Sequence, residues 1–436
     1  MTAPSNFVTA DPPRFEDYSR CVHCGLCLNA CPTFRVLGQE MDSPRGRLFQ
    51  VAQVDAGRLP AAGAFFLHMD RCLVCRACET ACPSGVEYGK VIERARAESE
   101  FQVRRPLWQR ALRAYLLEHV LVKPRLLAWH ARALRLYQRS GLQHVIRRTR
   151  LLRGLGMADS EALAPLIDRH FFTRELGGVF PAAGERRARV AFLAGCIQQV
   201  AFADLNRATI RVLQRNGVEV VVPRDQGCCG ALHVHAGLRE FARGLARHNV
   251  AAFEHAGCEA VVTNSAGCGS TLKEYGDLLA ADPAWQARGA AFGLQVQDVT
   301  EFLAKLGLRR AGLRPIPVRA TYQDPCHLLH GQKIRSAPRE LLQAIPGLEL
   351  VELPGTEICC GSAGIYNLVH PEIAGPLLEA KMDAIGSTAA ELIVTANPGC
   401  QLQLRVGVAH RGTGQRVVHV MELLDEAYGG QAGQPS

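Results

Sequence analysis

The sequence predicts a multidomain protein with a mainly α-helical N-terminal domain, a helical linker, and two duplicated α/β domains that each contain a parallel sheet. Two cysteine runs near the start, a strongly basic stretch after them and an internal repeat in the remainder support this prediction. A chain of 436 residues is also too long for a single core. We expect domains at 1–100, 101–186, 187–312 and 313–428, followed by a disordered Gly/Gln/Pro-rich tail at 429–436.

The N-terminal domain is defined by two runs with the spacing C-x2-C-x2-C-x3-C-P. This spacing is typical of a [4Fe–4S] site, because three thiolates two residues apart wrap a tight loop around three irons. In two-cluster ferredoxins the fourth cysteine of each run ligates the other cluster, and the proline directs the chain away from its own loop. We therefore predict a ferredoxin-like domain with two [4Fe–4S] clusters, the first held by Cys21, Cys24, Cys27 and Cys82, and the second by Cys72, Cys75, Cys78 and Cys31.

Structural zinc and disulfides are the alternatives for these cysteines. Zinc sites usually pair two C-x2-C motifs or include histidine. Residues 1–20 contain no apolar run, so we expect no signal peptide and hence no disulfides. Seventeen cysteines then indicate a reducing cytosol in which thiols bind metals. Between the runs we expect a turn at 43–47, whose Arg45 and Arg47 either stabilise the negative clusters or are ordinary surface arginines.

The linker carries the positive charge of the chain. Residues 101–155 contain thirteen Arg and Lys residues and one acid, a net charge of +12, so the rest of the chain sums to −3. Apolar residues at helical spacing predict helices to about residue 175, broken at Pro106, Pro124 and Gly141. Such a basic amphipathic stretch either lies on an anionic membrane surface or packs on the body of the protein. We expect no nucleic-acid binding, since no nucleic-acid fold accompanies the charge.

From about residue 187 the chain repeats itself. Matching cysteines lie 130, 131 and 132 residues apart, at Cys196 and Cys326, Cys228 and Cys359, and Cys268 and Cys400. Short β-branched runs alternate with helical segments, which indicates parallel α/β units. The predicted strands are 190–193, 218–223 and 260–264 in the first copy, and 320–323, 348–353 and 392–396 in the second.

Each copy also brings four thiols to loops that follow its strands. Loops at the carboxyl ends of parallel strands share one edge, so each set should converge. Clustered thiolates favour iron–sulfur or zinc, and the alternative is that they are small buried thiols without metal. His233, His235 and His327 could add a ligand or could hydrogen-bond a loop, and we expect Cys258 to pack in the core. The possible additional metal ligands are Cys196, Cys228, Cys229 and Cys268, and Cys326, Cys359, Cys360 and Cys400.

Motifs for substrate chemistry are missing from the sequence. There is no G-x-S-x-G, no Walker A motif and no dinucleotide fingerprint after a strand. No run of eighteen apolar residues occurs either, so no membrane span is predicted. These observations favour an electron carrier over an enzyme with its own substrate site. A zinc or nucleic-acid-binding protein is the competing class.

Several stretches carry a family resemblance: Cys21-Val22-His23-Cys24-Gly25, Asp70-Arg71-Cys72-Leu73-Val74-Cys75-Arg76, Cys359-Cys360-Gly361-Ser362-Ala363-Gly364 and Ala396-Asn397-Pro398-Gly399-Cys400. With the overall layout, they resemble the iron–sulfur subunit of glycolate oxidase (glycolate dehydrogenase) from about residue 18 to 428. The repeated domains then correspond to cysteine-rich CCG domains.

The resemblance implies that FAD-binding subunits oxidise glycolate to glyoxylate and that this subunit passes the electrons to membrane quinone. It would then lie in the cytoplasm, peripheral on the inner face of the cytoplasmic membrane. D-lactate or glycerol 3-phosphate is the alternative substrate of such a complex.

The CCG motif of the similar heterodisulfide reductase subunits ends in C-x2-C. Here Ser265 and Asn397 stand at the first position of that pair. This difference argues against a five-thiolate cluster.

Overall fold

The computed structural model describes residues 4–149 and 161–430 of the chain. Its N-terminal part is helical, and both cysteine runs lie in loops that connect the helices. Proline is the first residue of two of these helices, where its missing amide hydrogen costs no hydrogen bond. The helices are α1 (Phe15–Tyr18), α2 (Pro32–Leu37), α3 (Pro44–Asp55), α4 (Ala64–Asp70), α5 (Ala77–Thr80) and α6 (Tyr88–Gln102).

The segment 43–47, which was predicted to be a turn, instead begins helix α3. Ser43 is its N-cap, since Ser43 Oγ accepts a hydrogen bond from Gly46 N at 3.0 Å. A Cβ atom at Gly46 would collide with the Glu40 carbonyl, so glycine is needed for this close approach. Arg45 and Arg47 therefore project from the first turn of a helix.

The described part of the linker is helical up to Arg148, and the predicted helix over 150–160 lies outside the described residues. Its elements are α7 (Leu107–Ala114), a π-helix (Tyr115–Val120), α8 (Pro124–Arg139) and α9 (Leu142–Arg148). The predicted helix to about residue 175 is wrong for the described residues 163–175, which have no regular structure. Pro165 cannot donate a helical hydrogen bond. The Gln138 side chain instead donates to Pro165 O at 2.9 Å and accepts from Ile167 N at 3.2 Å. The part of the predicted tail from 431 onward lies outside the described residues.

The first repeat forms a five-stranded sheet with the order β1-β3-β2-β4-β5. Only β1 is antiparallel, and in the parallel part Val190 lies opposite Val220 and Ala260. The elements are β1 (Val179–Phe180), β2 (Ala188–Phe192), α10 (Gln198–Ala201), α11 (Ala203–Arg215), β3 (Val218–Val221), α12 (Ala231–His235), α13 (Arg239–Glu254), β4 (Ala260–Thr263), α14 (Ala266–Lys273), α15 (Tyr275–Leu278), α16 (Gln286–Gln295), β5 (Val296–Asp298) and α17 (Val299–Leu306).

The second repeat has a four-stranded, all-parallel sheet with the order β7-β6-β8-β9, which matches the parallel part of the first. The predicted parallel α/β architecture is thus confirmed. The elements are β6 (Arg319–Gln323), a π-helix (His327–Gly331), α18 (Ser336–Gln343), β7 (Glu349–Glu352), α19 (Tyr366–Val369), α20 (Pro371–Ser387), β8 (Leu392–Thr395), α21 (Pro398–Arg411), β9 (Arg416–His419) and α22 (Val420–Ala427).

The two repeats share one hydrophobic core. Buried residues of α11, such as Leu213, belong to the same apolar cluster as Leu424 of α22. Arg211 also donates to the buried Asp425 carboxylate at 2.6 Å, and Tyr428 stacks near Arg215. Helices of one copy therefore cover apolar faces of the other.

A buried arginine joins the N-terminal domain to the first repeat. Arg94 of α6 is fully buried and makes three ion pairs. It donates to Asp11 at 3.0 Å, to Asp17 at 3.0 Å and to Asp277 of α15 at 2.8 Å. Arg239 reinforces this junction, because it pairs with Asp11 at 2.8 Å. The charges compensate one another in a region with little water.

Replacing Arg94 should destabilise the protein strongly. Arg94→Met leaves three partly or fully buried carboxylates without their shared cation, and we expect a loss of about 3–5 kcal/mol in the free energy of unfolding. Urea denaturation of the full chain with its clusters would measure it. The control is Arg186→Met, which removes a single exposed pair with Glu219. Equal denaturation midpoints for the two variants would contradict this account.

Candidate metal centres

Three cysteines of the first run line a cavity together with Cys78 and Cys82 of the second run. Cys21, Cys24 and Cys27 face this space, and Cys82 comes to it from the loop after α5. The loop turns sharply at His23 and Gly25, which have positive φ values of 54° and 84°. Glycine suits the second of these positions, because a Cβ atom there would lie 2.6 Å from Arg45 Nη1.

The second run lines a second cavity in the same way. Cys72, Cys75 and Cys78 surround it, and Cys31 reaches it from the end of the first run. Val74 and Arg76 have positive φ values of 53° and 63°. These are the same two positions within the run as His23 and Gly25. Both loops therefore wrap their cavities with the same backbone path.

The two cavities are adjacent. Pro44, Cys78 and Tyr88 line both of them. Tyr88 Oη also donates to Cys72 Sγ at 3.8 Å, so Tyr88 contacts a thiol of the second set and lines the first cavity as well. Each cavity has at least four thiols in its wall and no carboxylate, a soft donor set that fits an iron–sulfur cluster.

Arginines line both cavities. Arg45 lies at the first, and Arg47 and Arg76 lie at the second. Arg47 is only 1% exposed, so the alternative of a surface arginine is wrong for this residue. Its Nη1 donates to Thr33 Oγ1 at 3.0 Å, and Thr33 Oγ1 lies 3.1 Å from Cys31 Sγ. Burial alone would lower the pKa of Arg47, but Tyr88 and the nearby Cys72 and Cys31 thiols raise it, which keeps a cation beside this thiol set.

The first repeat gathers its four thiols at the carboxyl edge of the sheet. Cys196 follows β2, the Cys228-Cys229 pair follows β3, and Cys268 lies in the first turn of α14. The four thiols form one group, because Cys196 lies beside Cys228, and Cys229 lies beside both Cys228 and Cys268. Interaction with the Cys196 and Cys229 thiols holds the pKa of the Cys228 thiol well below its usual value.

The second repeat repeats this arrangement with one added cation. Cys326 Sγ lies 4.0 Å from Cys359 Sγ, and Asn397 Nδ2 donates to Cys400 Sγ at 3.4 Å. Hydrogen bonds from Cys359 and Cys400 keep the pKa of the Cys360 thiol low. Lys381 of α20 is buried nearby and donates to Gly355 O at 2.7 Å. No sequence signal marks this lysine, because it occupies an apolar helix face.

The second repeat also touches the loop of the second cavity. Cys75 packs in one apolar cluster with Cys359 and the partly buried Cys326. His327 Nε2 donates to Val74 O at 3.0 Å, which fixes the two loops together. Three thiol sets are therefore neighbours in space. The second cavity lies next to both the first cavity and the site of the second repeat.

The two repeat sites meet at the residues that replace the C-x2-C cysteines. Asn397 Oδ1 accepts hydrogen bonds from Ser265 Oγ and Gly267 N, both at 3.4 Å. Ser265 in turn lies beside Cys268 and lowers the pKa of its thiol. In the described part of the chain, no set of three or more His, Cys, Asp or Glu side chains is spaced to hold a single metal ion.

The histidines and the single cysteine that the sequence analysis singled out lie in different surroundings. His233 lies beside Cys228, and the His235 ring contacts that of His327 at a tilted angle of 59°, with ring centres 5.1 Å apart. His235 Nδ1 is 3.7 Å from Glu93, a buried acid whose pKa burial raises to about 8. Cys258 is partly buried and packs against the core of the first repeat.

Comparison with known proteins identifies the family. Residues 17–86 match a 4Fe-4S dicluster domain, 108–164 match the linker region of the glycolate oxidase iron-sulfur subunit, and 190–273 and 320–405 match a cysteine-rich domain. The chain is 39% identical to the probable glycolate oxidase iron-sulfur subunit of Bacillus subtilis, over 94% of both chains. The chain belongs to the glycolate oxidase iron–sulfur subunit family. It is 34% identical to the glycolate oxidase iron-sulfur subunit of Escherichia coli, over 93% of both.

Membership of this family confirms the predicted two-cluster domain and the two cysteine-rich domains. The chain is also 31% identical to lactate utilization protein A of Oceanobacillus iheyensis, over 54% of this chain and 96% of that protein. The two relatives that match over nearly their whole length are glycolate oxidase iron–sulfur subunits. Among the described residues, no helix is both long and apolar enough to cross a bilayer.

Proposed function

We propose that this chain is the electron-transfer subunit of a glycolate dehydrogenase complex. FAD-binding subunits would oxidise glycolate to glyoxylate, and this chain would carry the electrons to membrane quinone. The observation that carries the proposal is the pair of adjacent thiol cavities with shared walls. The names of the two relatives that match over nearly their whole length support glycolate as the substrate.

We assign the ligands across the two runs. Three thiols of one run and the fourth of the other line each cavity, which supports the first cluster at Cys21, Cys24, Cys27 and Cys82 and the second at Cys72, Cys75, Cys78 and Cys31. When bound, the clusters each take up one electron at a time from a two-electron flavin. The chain's own residues hold the thiols, shield them with Tyr88 and place Arg47 beside the second set.

The contact between Val74 and His327 supports an onward route through the second repeat. We propose a further iron–sulfur or zinc centre in the cysteine-rich domains, where the donor set is again soft and buried. D-lactate or glycerol 3-phosphate is the alternative substrate, and the lactate utilization relative favours the first of these. Substrate choice then belongs to the flavin subunits.

We also propose that the linker binds the inner face of the cytoplasmic membrane peripherally. Helix α7 has no buried residue, and Leu107, Trp108 and Trp129 are 80%, 66% and 61% exposed. Aromatic and apolar side chains among cations are typical of helices in the headgroup region. The exposed cations of the described residues 101–149 are Arg104, Arg110, Lys123, Arg125, Arg132, Arg139, Arg147 and Arg148.

Cross-ligation predicts which cluster each variant loses. Cys82→Ser should disrupt the cluster of the first cavity, and Cys31→Ser that of the second, because each removes the thiol supplied by the other run. Electron paramagnetic resonance of the reduced full chain would separate the two signals. Cys258→Ser, which lies outside both cavities, is the control. Loss of the same-run cluster would refute the assignment.

The division of labour predicts the kinetics. The purified chain should not reduce dyes with glycolate, whereas glycolate should bleach its cluster absorbance once the flavin subunits are added. Cys24→Ser or Cys75→Ser should block electron flow to quinone but leave glycolate able to reduce the flavin, and Cys258→Ser should change neither step. Stopped-flow absorbance would follow both. Glycolate turnover by the isolated chain would contradict this role.

Membrane attachment should depend on the linker charges. Arg104, Arg110 and Arg125 each contribute about 1 kcal/mol near an anionic surface, so changing all three to Gln should weaken binding to vesicles that contain anionic lipid roughly 100-fold. Flotation of the full chain with such vesicles measures this. The matched control changes Arg174, Arg186 and Arg310, exposed cations outside the basic stretch 101–155. If both triple variants floated equally, the three arginines would not drive membrane binding. The exposed apolar and basic surface of the linker would then be better explained as a contact for a protein subunit.

A further inference from the structure

His233 is the buried histidine closest to the thiols of the first repeat. It lies on α12, five residues after Cys228, and is fully buried. Its ring stacks on Phe241 with centres 5.0 Å apart and an interplanar angle of 23°, so its orientation is fixed. Its Nε2 donates to the Leu117 carbonyl at 2.8 Å, whereas its Nδ1 is buried without a hydrogen-bond partner. The two ring nitrogens thus have different roles.

The partner of Nε2 exists because the linker contains a π-helix. In an α-helix, Leu121 N would bond the Leu117 carbonyl four residues earlier. Here Leu121 N bonds Leu116 O at 3.1 Å instead, which leaves Leu117 O free to accept from His233. Because a carbonyl only accepts, Nε2 carries the proton, and in the neutral ring Nδ1 keeps its lone pair.

The free nitrogen lies at the thiol set. Nδ1 makes no hydrogen bond, and its ring lies beside the Cys228 thiol. A histidine that ligates a metal usually donates its other ring N–H to a backbone carbonyl or carboxylate, which fixes the tautomer. The Leu117 carbonyl provides that arrangement for Nδ1, and the π-helix is a local irregularity of the kind found at functional sites.

We propose that His233 Nδ1 is a metal ligand, which completes a donor set of one imidazole and the thiolates Cys196, Cys228, Cys229 and Cys268. This inference rests on the proposed further centre in the cysteine-rich domains. Imidazole with thiolate suits an iron–sulfur centre, and a single zinc ion would require these donors to move closer together than they lie in the described residues.

Cys359 of the second repeat matches Cys228 of the first and lies 131 residues later in the chain. The same offset from His233 leads to Gly364, which has no side chain that could bind a metal. The two repeats therefore offer different donor sets. For an iron–sulfur centre, a neutral imidazole ligand favours the reduced form relative to thiolate alone, so the first site would have the higher potential.

The test replaces only the ligating atom. His233→Gln keeps an amide N–H for the Leu117 carbonyl but removes the imidazole. In the full chain labelled with ¹⁵N-histidine, pulsed paramagnetic resonance should detect nitrogen coupled to a centre beyond the two ferredoxin-type clusters, and His233→Gln should abolish that coupling. His330→Gln is the matched control, since both ring nitrogens of buried His330 are already bonded, to Thr80 and Glu357, at 2.9 and 2.8 Å.

If the first site takes zinc, zinc-edge X-ray absorption should show imidazole scattering that His233→Gln removes and His330→Gln keeps. A centre without histidine nitrogen overturns the inference, as does a wild-type chain with no metal beyond about eight irons. In both cases the signals of the two ferredoxin-type clusters and their reduction by the flavin subunits would persist, so the proposed electron-transfer function would stand. Loss of those signals from the wild-type chain would instead count against that function.

Discussion

Neither thiol cavity of the N-terminal domain can be built from one cysteine run alone. Cys82 has to reach the first loop and Cys31 the second, so the chain segments between the runs must pack tightly. Helices α3 and α6 do this, and Tyr88 at the start of α6 lies in both walls. Arg47, which projects from the first turn of α3, reaches the second cavity for the same reason. The positions of the two thiol cavities therefore constrain how the backbone of the whole N-terminal domain is arranged.

The same demand for buried thiols organises the rest of the molecule. Parallel strands bring the cysteines of each repeat to one sheet edge, and those edges face each other through Asn397 and Ser265. The second cavity joins this edge through Val74 and His327. These contacts keep the thiols of the second cavity close to those of the two repeats. Several of these thiols, such as Cys75, Cys359 and Cys360, are buried away from water. Outside it, ion pairs such as those of Arg94 compensate the charges that the packing encloses.

Much of this could be predicted from the sequence because the decisive signals are local. Cysteine spacing encodes loop geometry, and β-branched runs such as 260–263 encode strands. The strands Val296–Asp298 and Arg416–His419 were not predicted from the sequence. They are short and contain polar residues, so they lack a clear run of β-branched residues. The π-helix at 115–120 has the composition of an α-helix, since the shift of one hydrogen bond depends on tertiary contacts. The burial of Lys381 and Arg94 likewise depends on partners that are distant in sequence, Gly355 and Asp277. No short sequence pattern can link such residues.

The shared core of the two repeats has a consequence for how the duplication behaves. Leu213 and Leu424 belong to one apolar cluster, so each copy provides the layer that covers part of the other. The copies are therefore not independent modules joined by a tether. They should unfold in one cooperative step, and a chain cut between them would expose a face that only its twin can cover. Substitutions in one copy are consequently constrained by the shape of the other, which allows thiol sites to diverge at the edge while the interior stays matched.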